Sequence, residues 1–319
     1  MGLEALPPNL YLGFAAAIGL AVGSFANAAI HRLPRPELKL TEPKRSQCPK
    51  CGHGIRWYEN LPVISWLALR GRCAGCRDRI SVRYPLVELF TGGLFVLAAW
   101  LTPQEQTGLL LVRWLVLASL VIATFVDFDF FEIPDEISIG GIVVAPFASL
   151  LVPALHRDTW VSQWLAQRAE PGAAPLEDPS AAVGAFEALA GSVAGIAVGG
   201  GVLLVIGWIG KRLFKADAMG FGDVKLLAAA GGFIGPGGAL VSLMIASVFG
   251  SIAGVGNVVR MTCVTWRRNR RRGTGRPFSH ALGIGHIVGR YLPFGPHLAL
   301  GIGIVLLAWE DVLQAWPTA

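Results

Sequence analysis

The sequence predicts an all-α polytopic membrane protein with about eight transmembrane helices. Hydrophobic residues make up 53% of the 319 residues and charged residues only 15%, whereas an ordinary soluble domain carries about 25% charged residues. Several apolar stretches approach the length of about 20 residues that lets a helix cross a bilayer. The basic residues cluster in a few segments between these stretches. Together, these observations exclude a soluble, a disordered and a collagen-like chain.

Eight candidate spans follow one another along the chain. The sixth is the weakest, because several glycines and Pro236 crowd its end. In the fifth, Gly191, Gly195 and Gly199 recur at four-residue spacing, which predicts a close contact with another helix. The spans cover roughly residues 9–30, 86–101, 108–126, 137–155, 183–209, 222–237, 238–259 and 290–309.

The positions of Lys and Arg predict the orientation of the spans. Segment 31–83 holds 12 basic residues, segment 210–215 holds three and segment 260–276 holds seven. Basic loops are retained in the cytoplasm, so eight spans would place these three segments inside and both termini outside. The net charge of +6 is thereby assigned to cytoplasmic loops rather than to nucleic-acid binding.

Two CxxC pairs lie in the long loop between the first two spans. Four thiolates at this spacing, from Cys48, Cys51, Cys73 and Cys76, can complete a closed tetrahedral zinc shell. A closed shell has no open position, so the predicted zinc is structural. The alternatives are two disulfides, which a reducing cytoplasm disfavours, or inert thiols. The predicted domain order is therefore a first transmembrane helix at 1–31, a zinc-binding insertion at 32–85 and a transmembrane core at 86–319.

Two aspartates at the ends of spans are the candidate catalytic residues. Asp127 ends the third span, and Asp223 follows Gly220-Phe221-Gly222 at the start of the sixth. In the predicted topology both lie at cytoplasmic helix ends, where they can meet. Two neighbouring carboxylates can divide the roles of acid and base, which suits hydrolysis of a peptide bond. The alternative is a solvated helix end, in which Asp135 caps the fourth span.

These features resemble the type IV prepilin peptidases, which are membrane aspartyl proteases of the GxGD type. Five motifs occur in the order of that family. They are Gly23-Ser24-Phe25-x-Asn27 with Arg32-Leu33-Pro34, the tetracysteine loop with its run ENLPVISWLALRGRC, Asp127 with Ile133-Pro134-Asp135, Gly220-Phe221-Gly222-Asp223 with Lys225, and Pro293-Phe294-Gly295-Pro296.

The resemblance implies a bifunctional enzyme of the bacterial inner membrane. Such an enzyme removes the basic leader of prepilins or pseudopilins on the cytoplasmic side. It then N-methylates the new amino terminus with S-adenosylmethionine. The family's catalytic pair maps onto Asp127 and Asp223, which ranks Asp129 and Asp135 lower. No sequence feature locates a pocket for the methyl donor, and none indicates the oligomeric state.

Other acids and other functions are also compatible with the sequence. Glu59, Glu132, Asp135 and Glu136 are candidates to contact the basic leader. Glu88 could neutralise Lys225, Arg113 or a substrate amine, or could face the membrane interface. The competing functions are a zinc-stabilised transporter or scaffold with proton-coupling acids, and a GxGD peptidase that acts on other signal peptides. Relay acids would lie near the middle of the membrane, whereas Asp127 and Asp223 are predicted at helix ends.

Overall fold

The computed structural model describes residues 6–35, 37–38, 47–156, 184–214, 220–272, 278–289 and 292–315. These residues form helices, and no strand occurs among them, which confirms the all-α prediction. In chain order the helices are α1 (Pro8–Arg32), α2 (Ile64–Ala68), α3 (Arg83–Leu101), α4 (Thr107–Phe130), α5 (Asp135–Leu151), α6 (Ala185–Phe214), α7 (Phe221–Arg271), α8 (Phe278–Gly289) and α9 (Gly295–Ala315).

Five helices of the described chain, α1, α3, α4, α6 and α7, are long and apolar enough to cross a membrane. Helix α5 has only 17 residues, and the apolar part of α9 is also short. The multi-pass prediction is confirmed, and the count of eight spans stays a prediction. Helix α8 was not predicted, because its 12 residues are too few for a span. The last span, predicted over 290–309, forms a helix from Gly295 onward, and residues 290–291 lie outside the described part.

Helix α7 is 51 residues long and bends sharply in its first third. Gly235 has φ 73° and is followed by Pro236. Positive φ suits glycine, and a proline inside a helix removes a backbone hydrogen bond and produces a kink. A Cβ built on Gly231 would lie 3.4 Å from Cβ of Ala239, although eight residues of straight helix rise about 12 Å. The chain therefore doubles back, which supports two spans here, with the turn at 235–236 rather than at 237–238.

The glycines of the fifth predicted span form the closest helix contact of the bundle. A Cβ on Gly195 of α6 would collide with the carbonyl group of Gly231 in α7, and a Cβ on Gly199 would collide with that of Leu227. Gly191 packs against the ring of His156 instead. The packing prediction for this repeat is therefore confirmed.

Four contacts gather the ends of six helices at one end of the bundle. These are the ends of α1 and α4 and the starts of α3, α5, α7 and α9. The contacts join Asn27 to the Tyr84 carbonyl, Arg83 to Asp129, Lys225 to Asp135, and Asp127 to the N–H of Gly295. Helices that end here are followed along the chain by helices that start here, as a multi-pass bundle requires. The candidate site lies among these helix ends.

Candidate active site and metal centre

Asp127 lies near the C-terminal end of α4 and is only 6% exposed. Its Oδ2 accepts a hydrogen bond of 2.9 Å from the backbone N–H of Gly295, 168 residues later in the chain. A Cβ on Gly295 would lie 2.5 Å from that oxygen, so a larger residue would displace the carboxylate. The sequence assigned no role to Gly295. The available signal was a glycine set between Pro293 and Pro296 at the start of a helix.

Asp223 is the third residue of α7 and is half-buried. Its backbone N–H donates a 3.2 Å hydrogen bond to the carbonyl of Gly220. The first N–H groups of a helix lack intrahelical acceptors and carry a partial positive charge, which favours a carboxylate at this position. A Cβ on Gly220 would lie 3.3 Å from Oδ2 of Asp223. Glycine therefore leaves space beside this carboxylate.

The two carboxylates are close enough to act on each other electrostatically. Ile133, only 5% exposed, packs between the two glycines that flank them. Its Cβ would be 3.2 Å from a Cβ on Gly222, and its Cδ1 would be 3.3 Å from a Cβ on Gly295. Ile133 of the Ile-Pro-Asp segment therefore separates Gly222, next to Asp223, from Gly295, which bonds to Asp127. Two carboxylates in one site can work as an acid and a base.

The two lower-ranked aspartates are engaged in ion pairs. Asp129 bonds to the guanidinium of Arg83 at 2.7 and 2.9 Å. Asp135 bonds to the ammonium group of Lys225, which lies two residues after Asp223. The Asp135 pair joins the starts of α5 and α7 and thereby positions the second carboxylate. The expectation that Asp135 contacts a leader peptide stays a prediction, although it already has a cationic partner in Lys225.

The other candidate acids differ in their surroundings. Glu132 and Glu136 are exposed, and neither forms an ion pair with any described residue. Glu59 instead bonds to the His53 ring at 3.1 Å and to the N–H of Arg56 at 3.0 Å. The Arg56 N–H and the His53 ring together lower the pKa of Glu59.

Glu88 is a fixed internal group rather than an interfacial one. It is 8% exposed, and its Oε2 accepts a 2.7 Å hydrogen bond from the N–H of Val63. The proposed partners Lys225 and Arg113 bind elsewhere, to Asp135 and to the hydroxyl of Thr102. Glu88 therefore ties the tetracysteine loop to α3.

The two CxxC segments adopt the same local fold. In each, the first cysteine's N–H bonds to a carbonyl five residues later, in His53 or Asp78, at 2.9 or 2.8 Å. Four residues after that cysteine, the backbone has positive φ, 69° at Gly52 and 61° at Arg77. An ion pair of 2.5 Å between Lys50 and Asp78 links the two halves.

The four thiols form one group that could hold a metal ion. The sulfur atoms of Cys48, Cys51, Cys73 and Cys76 all lie within 4.8 Å of one another. Tetrahedral Zn–S bonds of about 2.3 Å require sulfur atoms separated by just under 4 Å, and the observed separation of Cys48 from Cys76 is 4.0 Å. The N–H groups of Cys51 and Lys50 lower the pKa of Cys48 to about 7, whereas the neighbouring thiols raise the pKa of Cys76 to about 11, so the fit to zinc rests on the geometry of the four sulfur atoms. The donor set therefore fits zinc.

Comparison with known proteins places the chain in a family. The model of the bacterial peptidase A24 N-terminal domain matches residues 17–102, and that of the type IV leader peptidase family matches residues 114–255. No solved structure matches.

Curated relatives extend the match over nearly the full length. A prepilin leader peptidase/N-methyltransferase of Pseudomonas putida is 33% identical over 98% of this chain and 95% of that protein. A protein of the same name from Aeromonas salmonicida is 33% identical over 97% of this chain and 94% of its own length. Another, from Myxococcus xanthus, is 35% identical over 77% and 63%, respectively. The chain therefore belongs to the type IV leader peptidase family.

Proposed function

We propose that this protein is a membrane aspartic peptidase that removes the leader of type IV prepilins or pseudopilins and then N-methylates the new amino terminus. The observation that carries the proposal is the placement of Asp127 and Asp223 around Ile133 at one end of the helix bundle, close enough to act on each other electrostatically. Both are near helix ends, which argues against a proton relay through the middle of the membrane. The names of the relatives support both activities.

The cleavage step needs only the two carboxylates and water. One carboxylate accepts a proton from water, whose oxygen attacks the carbonyl carbon of the scissile bond. The other, protonated, donates its proton as the C–N bond breaks and the amine leaves. On the C-terminal side of the scissile bond, the substrate continues as an apolar helix in the bilayer. The dyad, Asp127 and Asp223, is at the ends of the spans and therefore lies at the depth of that bond.

The finer assignments belong to the same proposal. Asp127 and Asp223 are the catalytic residues, and Cys48, Cys51, Cys73 and Cys76 bind a structural zinc ion. The tetracysteine loop and the dyad face the cytoplasm of a bacterial inner membrane, with both termini outside, as the basic loops indicate. The domain order is 1–31, 32–85 and 86–319.

Recognition of the leader is assigned to Glu132 and Glu136. They follow Asp127 closely, are exposed, and are not paired with a described cation. Two exposed carboxylates that follow Asp127 in the sequence complement the Lys and Arg of a leader, and the surrounding cytoplasmic loops are themselves basic. Bulk charge cannot supply this attraction, since like charges repel over a screening length of about 8–10 Å.

The test is a reaction with a synthetic prepilin in detergent micelles. The substrate carries a basic leader that ends in Gly, followed by an apolar stem. The purified full chain should release the leader without S-adenosylmethionine, and addition of the donor should raise the mass of the stem by one methyl group. An intact substrate under both conditions would overturn the proposal.

A further inference from the structure

A groove of about 190 Å³ lies between α4, α5 and α7. This volume is below the range of about 300–1,000 Å³ typical of sites that enclose a small molecule, so the groove suits side chains that enter it from outside. Among the described residues that line it, only Ser119 and Glu136 have polar side chains. The Ser119 hydroxyl already donates a 2.9 Å hydrogen bond to the Leu115 carbonyl of its own helix. The groove therefore offers an apolar surface and one carboxylate.

The groove and the two candidate catalytic carboxylates share the same faces of two helices. On α7, Leu226 lines the groove three residues after Asp223. On α4, Leu120 lines it seven residues before Asp127. Side chains three or seven positions apart lie on one face of a helix, and these separations correspond to rises of about 5 and 10 Å. The groove therefore begins one to two turns from the carboxylates and runs away from them along the bundle.

One side of the groove is open to the surroundings of the bundle. Leu115 and Val144 line it and are nevertheless exposed, and both lie within predicted spans, so the opening faces lipid. On the α5 wall, a Cβ on Gly140 would have no atom within 4 Å, whereas Ala229 and Ala230 of α7 are buried. Small residues let a second helix approach closely. The groove can therefore receive one face of a helix from the bilayer.

Glu136 gives the groove a negative charge at the end nearer the carboxylate pair. It lies in the first turn of α5 and is exposed, and no described residue forms an ion pair with it. The neighbouring Asp135 is paired with Lys225, which joins the starts of α5 and α7 at this end. The complementary occupant is a chain that is apolar along the groove and basic where it leaves the groove. A prepilin, with a basic leader followed by an apolar helix, has this chemistry.

We propose that the groove binds the first turns of the substrate's apolar stem, on the C-terminal side of the scissile bond; this inference rests on the proposed function. The stem lies against α7 between α4 and α5, the scissile bond reaches Asp127 and Asp223, and the leader emerges beside Glu136. The lining of α7 extends from Leu226 to Phe233, which is about 10 Å or two helical turns. Binding of the stem positions the bond at the carboxylates, and such positioning lowers the barrier to the reaction.

Two neighbouring valines of α5 provide a matched test. Val144 lines the groove and is 42% exposed, whereas Val143 is 56% exposed and is not part of the lining. Val144→Trp should lower kcat/KM at least tenfold for a prepilin with its full stem, mainly through KM, because the new ring occupies the place of the stem. Val143→Trp should stay within twofold of the unmodified chain. Equal kcat/KM values for the two variants would overturn the assignment.

A truncated substrate distinguishes loss of stem binding from damage to the carboxylate pair. A peptide that ends shortly after the scissile bond has no stem, so Val144→Trp should cleave it within twofold of the unmodified chain. Equal losses on the truncated and the full substrate would overturn the groove assignment alone. Absence of prepilin cleavage by the unmodified chain would instead overturn the proposed function.

Photo-cross-linking identifies the occupant directly, whether or not the tryptophan variants fold. The photoreactive residue p-benzoylphenylalanine replaces Val144 in one variant of the full chain and Val143 in the other, both in phospholipid nanodiscs. The ligand is a prepilin whose scissile amide is reduced and therefore resists cleavage. Adducts with the first turns of the stem are expected from the Val144 variant, and adducts with lipid from the Val143 variant. Adducts of the Val144 variant with lipid alone, or with a second copy of the chain, would overturn the proposal.

Discussion

The tetracysteine loop repeats one short local geometry twice, whereas the carboxylate pair is assembled from helices that are distant in the chain. The two halves of the loop share their hydrogen bonds and their positive φ at matching positions. The pair instead depends on Gly295, 168 residues after Asp127, and on Ile133 between two glycines. The loop should therefore respond to its metal and to local backbone changes, and the pair to the packing of the bundle.

Removal of a zinc ligand is the largest change expected in the loop. Structural zinc in small domains contributes about 10–16 kcal/mol of binding free energy coupled to folding. Cys73→Ser should lower the zinc content below half an equivalent and expose the loop to trypsin, with little change in far-UV circular dichroism. Cys263→Ser, at an exposed thiol outside the cluster, is the control and should keep its zinc. Joint unfolding of loop and bundle would show that the two regions are not separate.

A larger side chain at the closest helix contact should weaken the bundle and spare the loop. Gly195→Ala forces Cβ against the Gly231 carbonyl, and overpacking of this kind costs about 1–3 kcal/mol. In the same helix, Gly201 has open space around its Cβ position, so Gly201→Ala should gain about 1 kcal/mol from helix propensity. Thermal unfolding in micelles measures both. If both substitutions changed the thermal stability in the same direction, the close packing at Gly195 would not explain the result.

The repeated geometry of the loop allows a test with paired substitutions. A left-handed backbone costs about 1–2 kcal/mol for a residue other than glycine. Gly52→Ala should therefore weaken zinc retention against a competing chelator, and Arg77→Gly should strengthen it slightly. Chelator competition on both variants measures the difference. Identical retention would mean that the backbone strain at these two positions has no influence on the metal site.

The smallest effect is expected from the exposed acids near the pair. Glu132→Gln with Glu136→Gln should lower kcat/KM several-fold for a basic leader, because exposed charge pairs contribute about 0.2–1 kcal/mol each. A leader whose Lys and Arg are replaced by Gln should lose much less. Glu105→Gln, at the opposite end of the bundle, is the control. Equal losses on both leaders would assign these acids to structure.

Sequence reasoning was most successful where the relevant pattern is local. The CxxC spacing predicts the cysteine cluster because the ligands lie on short turns, and the glycine repeat of α6 predicts a close contact because small residues have few other uses in an apolar helix. The helix ends were less well predicted. The turn of α7 depends on φ at Gly235, and hydropathy alone does not distinguish the glycines around it.

The surroundings of the pair could not be predicted from the motifs alone. The hydrogen bond from Gly295 to Asp127 and the packing of Ile133 between Gly222 and Gly295 arise from tertiary structure. The pairing of Asp135 with Lys225 likewise joins residues 90 positions apart. The ranking of Asp129 and Asp135 behind Asp127 came only from family resemblance, and it stays a prediction. The ion pairs of both residues now give a physical reason for that ranking.

The most direct test of the central claim compares three matched substitutions, Asp127→Asn, Asp223→Asn and Asp129→Asn, in cleavage of one prepilin. If Asp127 and Asp223 form the catalytic pair, each of the first two should lower kcat/KM by about 10²–10⁴-fold or more, with zinc content and helicity unchanged. Asp129→Asn should stay within tenfold of the unmodified enzyme. Full cleavage by either of the first two variants, or a loss confined to Asp129→Asn, would contradict the account.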